Sequence, residues 1–315
     1  MRNNIKLDAR VMAMRIVFIG NHTTGVRTLQ VLMKHCEVVG VVAHPEDPED
    51  GVQYESVFEF AKSHQLNAVR MNGKDPKLEE FVQSLSPDLL WVTDYRYLLF
   101  PAVFTIAPLG SVNLHGSLLP KYRGRAVNNW AILNGETQLG LTAHFIDEGV
   151  DTGDIIEQLS YELSEDEDAG DALEKLYPLF EKITETVIQY FLSGTVPRIP
   201  QDNKDAACCP RRTPADGIIN WQKPARDIFN LIRAVARPYP GAWTSHNEQK
   251  LILWKAAIEN EAKQSEAPGT IINIEDDGAF TVACSPGVLR VLDASNEDIP
   301  PKLSVGDILE QYQTS

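Results

Sequence analysis

The sequence predicts an α/β protein, a doubly wound, mostly parallel, Rossmann-like sheet followed by a smaller, mainly β, barrel-like C-terminal domain. Three observations predict it. Strand-like apolar runs alternate with helical spacing from Met14 to Leu192, periodicity is lost over 193–214, and short apolar runs then recur at close spacing. The expected boundaries are thus a domain at 14–192, a linker at 193–214 and a small β-rich domain at 215–315. Residues 1–13 lack the apolar core of a secretory signal and are expected to be a disordered leader, in which Met12, or Met14 just after it, offers an alternative start.

Taken in order, Met14 to Ile19 is a compact apolar run ending in Gly20, and Val26, Leu29, Leu32 and Met33 then carry helical spacing. Val38 to Ala43 is a second buried-strand run. Ser56 to His64 and Leu78 to Leu85 have helical patterns, Asp88 to Val92 is a strand, and Gly110 to Leu114 is another. A helix is expected at Ala126 to Leu133, and strands at Leu141 to Ile146 and Ile155 to Tyr161. Asp168 to Leu192 has the pattern of one long helix that Pro178 should kink or restart. The stretch 193–214 is rich in Pro, Gly, Asp and Asn, which marks a linker. Beyond it come a helix at Ala225 to Ala236 and strand-like runs at Ile252 to Lys255, Thr270 to Ile274, Ala279 to Ala283 and Val288 to Leu292.

Composition narrows the function. A formal charge of -15, from 29 Lys and Arg against 44 Asp and Glu, disfavours a nucleic-acid partner, because phosphates would be repelled. No apolar stretch reaches the roughly 20 residues of a membrane helix, so a soluble, cytoplasmic protein is expected. Cys36, Cys208, Cys209 and Cys284 show neither zinc spacing nor a disulfide framework and are expected to be reduced thiols. The turn Gly20-Asn21-His22-Thr23-Thr24-Gly25 sits where helices cradle phosphates, but it has neither dinucleotide-fold spacing nor the Lys-Ser/Thr of a P-loop.

The chemistry is concentrated in Ser111-Val-Asn-Leu-His-Gly-Ser-Leu-Leu-Pro-Lys-Tyr-Arg-Gly-Arg125. Asn113 and His115 lie two residues apart near the carboxyl end of a strand, so both leave the same face, at the edge where open α/β sheets build their sites. Gly116 permits a sharp turn after them and Pro120 stiffens the following loop. About thirty residues on, glycines flank Asp151 in Ile146-Asp-Glu-Gly-Val-Asp-Thr-Gly-Asp-Ile155. Four acids there raise the possibility of a metal, but Val150 and two glycines leave too few ligands and the EF-hand spacing is absent, so no metal is expected. A carboxylate presented to His115 across a cleft is the better reading.

Asn113-Leu-His115-Gly-Ser-Leu-Leu-Pro120, followed by Asp151 within Gly-Val-Asp-Thr-Gly, resembles the signature of the folate-dependent formyltransferases, and the likeness runs from Met14 to about Trp254. The resemblance implies a catalytic trio of Asn113, His115 and Asp151, 10-formyltetrahydrofolate as donor co-substrate, and an amine as acceptor. It also implies folate contacts at Asp94, Tyr95, Arg96, Tyr97 and Leu98, largely through backbone groups, with Ile146, Gly149 and Val150 opposite. These residue types suit the reaction. An unprotonated amine must attack the formyl carbon, and the oxyanion that forms needs preorganised donors. Asn113 can donate, His115 can donate or take the amine proton, and Asp151 can orient the imidazole or relay a proton through water.

Within the family, Leu133-Asn-Gly-Glu-Thr137, Arg211-Arg-Thr-Pro214 and Pro238-Tyr-Pro-Gly-Ala242 are most similar to the sugar-nucleotide N-formyltransferases, of the kind acting on UDP-4-amino-4-deoxy-L-arabinose in lipopolysaccharide biosynthesis. Methionyl-tRNA formyltransferases resemble the first stretch too, but carry small residues and Pro where Arg125 and Val127 stand here. The loop His44-Pro-Glu-Asp-Pro-Glu-Asp-Gly51 is acidic where those enzymes resemble a basic arm. A nucleotide-linked amino sugar is therefore the expected acceptor, with Ser117, Lys121, Arg123 and Arg125 as its contacts, the cations gripping a diphosphate. Methionyl-tRNA formylation and hydrolysis of formyltetrahydrofolate are the alternatives. The apolar second domain offers a surface for a homodimer.

Overall fold

A computed structural model describes residues 14–45, 54–296 and 299–310; the expected leader and most of the acidic loop lie outside the described residues. The first half runs β1 (Arg15–Gly20), α1 (His22–His35), β2 (Glu37–Ala43), α2 (Val57–Ser63), β3 (Ala68–Arg70), α3 (Lys77–Leu85), β4 (Leu89–Thr93), α4 (Pro101–Phe104) and β5 (Ser111–His115). There follow β6 (Arg123–Gly124), α5 (Val127–Leu133), β7 (Gln138–Phe145), β8 (Ile155–Glu162) and α6 (Ala169–Ser193). Then come β9 (Cys208–Cys209), α7 (Ala225–Ala234), β10 (Ala242–His246), β11 (Gln249–Asn260), β12 (Ile271–Ile274), β13 (Phe280–Ala283) and β14 (Val288–Ser295).

The first domain is a seven-stranded sheet in the order β3-β2-β1-β4-β5-β7-β8. β1 to β5 pair in parallel, and β7 and β8 add antiparallel strands at one side, so the sheet is mostly parallel as expected. Alternation along β1 explains why both faces are covered. Ile16 and Phe18 enter one core with Leu29, Leu32, Leu176 and Ile183, whereas Val17 and Ile19 enter a second core with Leu78, Val82 and Val103.

Of the two outcomes expected at Pro178, a kink or a restart, the helix does not restart: α6 is continuous across it. The proline sits on the exposed side, where a lost backbone hydrogen bond leaves its carbonyl to water, while Leu176 and Phe180 on either side stay buried. The helix is tied at both ends, by Asp168 and Asp171 in a reciprocal capping box and by Gly194 in the left-handed conformation at φ 71°.

The second domain is a five-stranded antiparallel sheet in the order β10-β11-β14-β13-β12. Its two edges are brought together by the segment 308–310, because Glu310 bridges Ser245 of β10 and Ile308 bridges Thr270 beside β12. That closure makes it barrel-like. β10, missed in the sequence, lies in Gly-Ala-Trp-Thr-Ser-His, too short a run to stand out. A single apolar cluster joins the domains, with Ile132, Leu139 and Ala169 of the first against Ile228, Ile232 and Leu253 of the second.

The segment 193–214 is not a bare linker. Ile199 pairs with Ile155, and β9 pairs in parallel with β6, which lays the segment along β6 and the start of β8.

Candidate active site

β5 and β7 pair so that Asn113 lies opposite His144 and His115 opposite Thr142, which puts these four side chains on one face at the end of the sheet. Gly153 lets the next loop fold back over that edge, since a Cβ there would lie 1.9 Å from the Phe145 carbonyl oxygen. This loop delivers Asp151, whose backbone is left-handed at φ 52°.

The three predicted residues converge. Asp151 Oδ2 lies 3.6 Å from His115 Nδ1, and Asp151 Oδ1 accepts from Asn113 Nδ2 at 3.4 Å. The Gly124 N–H donates to Asp151 Oδ2 at 2.9 Å. Gly124 suits this position because its φ is 98° and a Cβ would lie 2.4 Å from the Cys209 carbonyl oxygen. His115 Nε2 sits 2.8 Å from the Tyr122 carbonyl, which can only accept, so Nε2 carries a proton and the neutral ring keeps its lone pair on Nδ1, facing Asp151.

A fourth group belongs to the cluster. His144, 2% exposed, donates from Nδ1 to the Phe145 carbonyl at 2.8 Å, and its Nε2 lies 3.2 Å from Asn113 Nδ2 and 3.5 Å from Asp151 Oδ1. Sequence reasoning passed over it. The signal was a histidine in the otherwise apolar stretch Leu141 to Ile146, two places from Thr142 on the face that pairs with Asn113 and His115.

Burial depresses the His115 pKa below the ordinary histidine value; the nearby Asp151 carboxylate and Tyr122 carbonyl push it back up, and His144 pushes it down. For Asp151 burial acts upward, but the charge of His115, the bond and charge of His144 and the Gly124 N–H outweigh it and hold the acid well below the usual carboxylate range. The resulting site pairs a neutral imidazole with an ionised carboxylate near neutral pH.

Asn113, His115 and Asp151 open onto a cleft of about 580 Å³. Of the residues expected to contact folate, Asp94, Tyr95, Arg96, Tyr97, Leu98 and Val150 line this cleft, whereas Ile146 and Gly149 fall outside its walls. Tyr95 is anchored by its hydroxyl to the Met71 carbonyl at 2.8 Å and meets Tyr97 edge-on, so it packs as well as lines. Asp94 accepts from Thr24 Oγ1 at 2.9 Å and meets His22 Nδ1 at 3.0 Å; burial works against its ionisation, but these partners hold its pKa low. Arg211, Asn128 and Tyr239 also line the cleft and were not expected as site residues. Among the described residues Asn128 Oδ1 is buried without a hydrogen-bond partner.

The expected acceptor contacts divide. Arg125 lines the cleft, while Ser117 and Lys121 line a neighbouring hollow of about 300 Å³. Arg123 is corrected: it is buried, lines neither space, and is held by Gln201 and Asn203, so its guanidinium is not turned toward a diphosphate in the cleft.

His22, Asp94, Ala126 and Asp151 line the cleft in the left-handed backbone region, with φ of 61°, 54°, 53° and 52°, and Tyr122 beside His115 joins them at 56°. Such strain gathers where function over-determines the backbone. No group of three His, Cys, Asp or Glu able to hold a metal exists among the described residues. No helix among them is long and apolar enough to cross a membrane.

Comparison with known proteins places this geometry. Residues 14–187 match the model described as formyl transferase, and 211–307 match formyl transferase, C-terminal domain. The methionyl-tRNA formyltransferase of Acetivibrio thermocellus is 37% identical over 279 residues, covering 87% of this chain and 89% of its own. An N-formyltransferase from Helicobacter canadensis, solved with folinic acid and dTDP-3-aminofucose, shares the fold at a TM-score of 0.67 and 22% identity, over 88% of this chain and 98% of that one. The sugar 3N-formyl transferase WlaRD, solved with dTDP and 5-N-formyl-THF, shares it at 0.67 and 22%, over 89% and 97%. With both of its domains matched and the curated relative aligned along most of its length, the chain belongs to the formyl transferase family.

Proposed function

We propose that this enzyme transfers a formyl group from 10-formyltetrahydrofolate to the amine of a nucleotide-linked amino sugar, with Asn113, His115 and Asp151 as its catalytic residues. The observation that carries the reading is the meeting of an amide, a neutral imidazole and an ionised carboxylate at one wall of an open cleft. The amine nitrogen attacks the formyl carbon and the carbonyl oxygen takes up the charge. Asn113 Nδ2 exchanges its long 3.4 Å contact with Asp151 for a bond to that oxygen. His115 Nδ1, its lone pair directed into the site, takes the amine proton, and Asp151 stabilises the imidazolium that results. The proton then passes to the departing nitrogen of the donor as the bond to the formyl carbon breaks, so the products are a formamide and tetrahydrofolate. Folate is placed against the wall formed by Tyr95, Tyr97 and the loop at Val150.

For the acceptor, Arg125 and Arg211 line the same cleft and supply guanidinium groups suited to a diphosphate. Folinic acid and a dTDP-amino sugar in the Helicobacter canadensis enzyme support this class, and the chain's charge of -15 weighs against RNA. Methionyl-tRNA is the second reading, favoured by the 37% identity to an enzyme of that name.

The test supplies 10-formyltetrahydrofolate with a panel of UDP-, dTDP- and GDP-linked amino sugars and with initiator methionyl-tRNA, and follows formylated product by mass. We expect product with a sugar nucleotide. Product with tRNA alone would replace the acceptor, and formate release without any acceptor would make the enzyme a hydrolase.

A further inference from the structure

We infer that Gln201, in the segment joining the two domains, is a positioning residue for catalysis: it holds the backbone of Asp151 in place, and Arg123 holds Gln201. The inference rests on the reading of Asp151 as catalytic. Gln201 Nε2 spends both hydrogens on the catalytic loop, donating to the Asp151 carbonyl at 2.9 Å and the Gly153 carbonyl at 2.8 Å. Its Oε1 accepts from Arg123 Nε at 3.1 Å and Nη2 at 2.6 Å, and Nη2 also donates to Asn203 Oδ1 at 2.8 Å.

The donor count leaves the amide one orientation. A guanidinium only donates and a carbonyl only accepts, so flipping Gln201 would break all four of its contacts at once. The buried charge of Arg123 also polarises the amide and strengthens its N–H donors toward Asp151.

The arrangement answers a need of the site. Asp151 is a non-glycine residue at φ 52°, a conformation that persists when its surroundings over-determine it. It is held at two ends by neighbouring residues: Gly124 N–H takes the carboxylate, and Arg123, acting through Gln201, secures the carbonyl. Both neighbours form β6, which pairs with β9 from the joining segment. A segment that only tethered two domains would need none of these bonds.

The test uses the full chain and two variants. Gln201→Glu still accepts from Arg123 but sets a carboxylate oxygen against the two carbonyls, so it removes the donors while turning the contact with Arg123 into an ion pair. Gln201→Ala removes the whole bridge. Two readouts separate positioning from mere stability. First, in ligand-free enzyme the His115 ring, which faces Asp151 and His144, is titrated by NMR, its resonance assigned with His115→Gln. If Gln201 holds Asp151 near it, His115 titrates at lower pH in Gln201→Ala, which adds no charge, than in the parent, because a displaced carboxylate supports the imidazolium less. Second, with 10-formyltetrahydrofolate and the acceptor identified by the panel above, kcat falls by about tenfold or more with the donor KM little changed, as expected when a catalytic group is misplaced.

An unshifted His115 titration in Gln201→Ala, or turnover of Gln201→Glu within about twofold of the parent, would overturn the inference. Asp151→Asn is run beside them. Full activity in Asp151→Asn defeats the catalytic reading itself, whereas an inactive Asp151→Asn with an unaffected Gln201→Glu defeats only the positioning role.

Discussion

His115 presents its Nδ1 lone pair to the site because the Tyr122 carbonyl claims the proton on Nε2, and burial keeps the ring neutral below the ordinary histidine range. The sign of the pH dependence follows. The ring must be neutral to accept the amine proton, and its folded pKa is lowered, so the acid limb of kcat/KM that reports His115 should lie below the value of a free histidine. An acid limb above that value, absent in a His115→Gln background, would contradict the assignment. Substituting His115→Ala should lower kcat by about 10²- to 10⁴-fold, the usual contribution of a positioned base, while folate binding by fluorescence or calorimetry is retained. At this scale the sequence was informative about Asn113, His115 and Asp151, because residue type and spacing along one strand and one loop are local properties. It was silent on His144, whose partner Asn113 lies 31 positions away. For Arg123 it was misleading, since the same guanidinium that suits a phosphate also suits a side-chain oxygen arriving from 78 residues downstream.

Among the elements, β5 and β7 set the register that unites the site, and α6 braces the back of the sheet by burying Leu176, Ile183, Val187 and Ile188. Pro178 is the weak point of that helix. It removes one backbone donor and leaves one carbonyl unpaired, a cost the buried side chains on either side outweigh. Pro178→Ala should therefore raise unfolding stability by about 1–3 kcal/mol, the gain being limited by the freer unfolded chain. An unchanged or lowered urea midpoint would refute this. The long helix and the main strands were legible because their apolar periodicity runs over many residues. β3 and β10 were not, being short runs whose pairing depends on neighbours distant in the chain.

Across the whole molecule, one apolar cluster crosses the domain boundary, so the small domain and the catalytic domain share a core. Ile232 of α7 is fully buried within it. Replacing it by Ala should cost about 2–5 kcal/mol, and unfolding monitored by fluorescence and by far-UV circular dichroism should stay coincident. Two separated transitions would show that the domains unfold independently. The joining segment follows the same logic, since Ile199, Gln201 and β9 bind to the first domain rather than hang between the two.

The sequence by itself determined the layering, the two-domain division and the identity of the three central side chains, because each is written in local periodicity or in a short motif. Only the tertiary structure decided which proton His115 carries, that His144 joins the cluster, and that Gln201, itself bonded by Arg123, donates to the Asp151 carbonyl. Hydrogen bonds depend on donor count and angle between groups scores of residues apart, and no pattern along the chain encodes those distances.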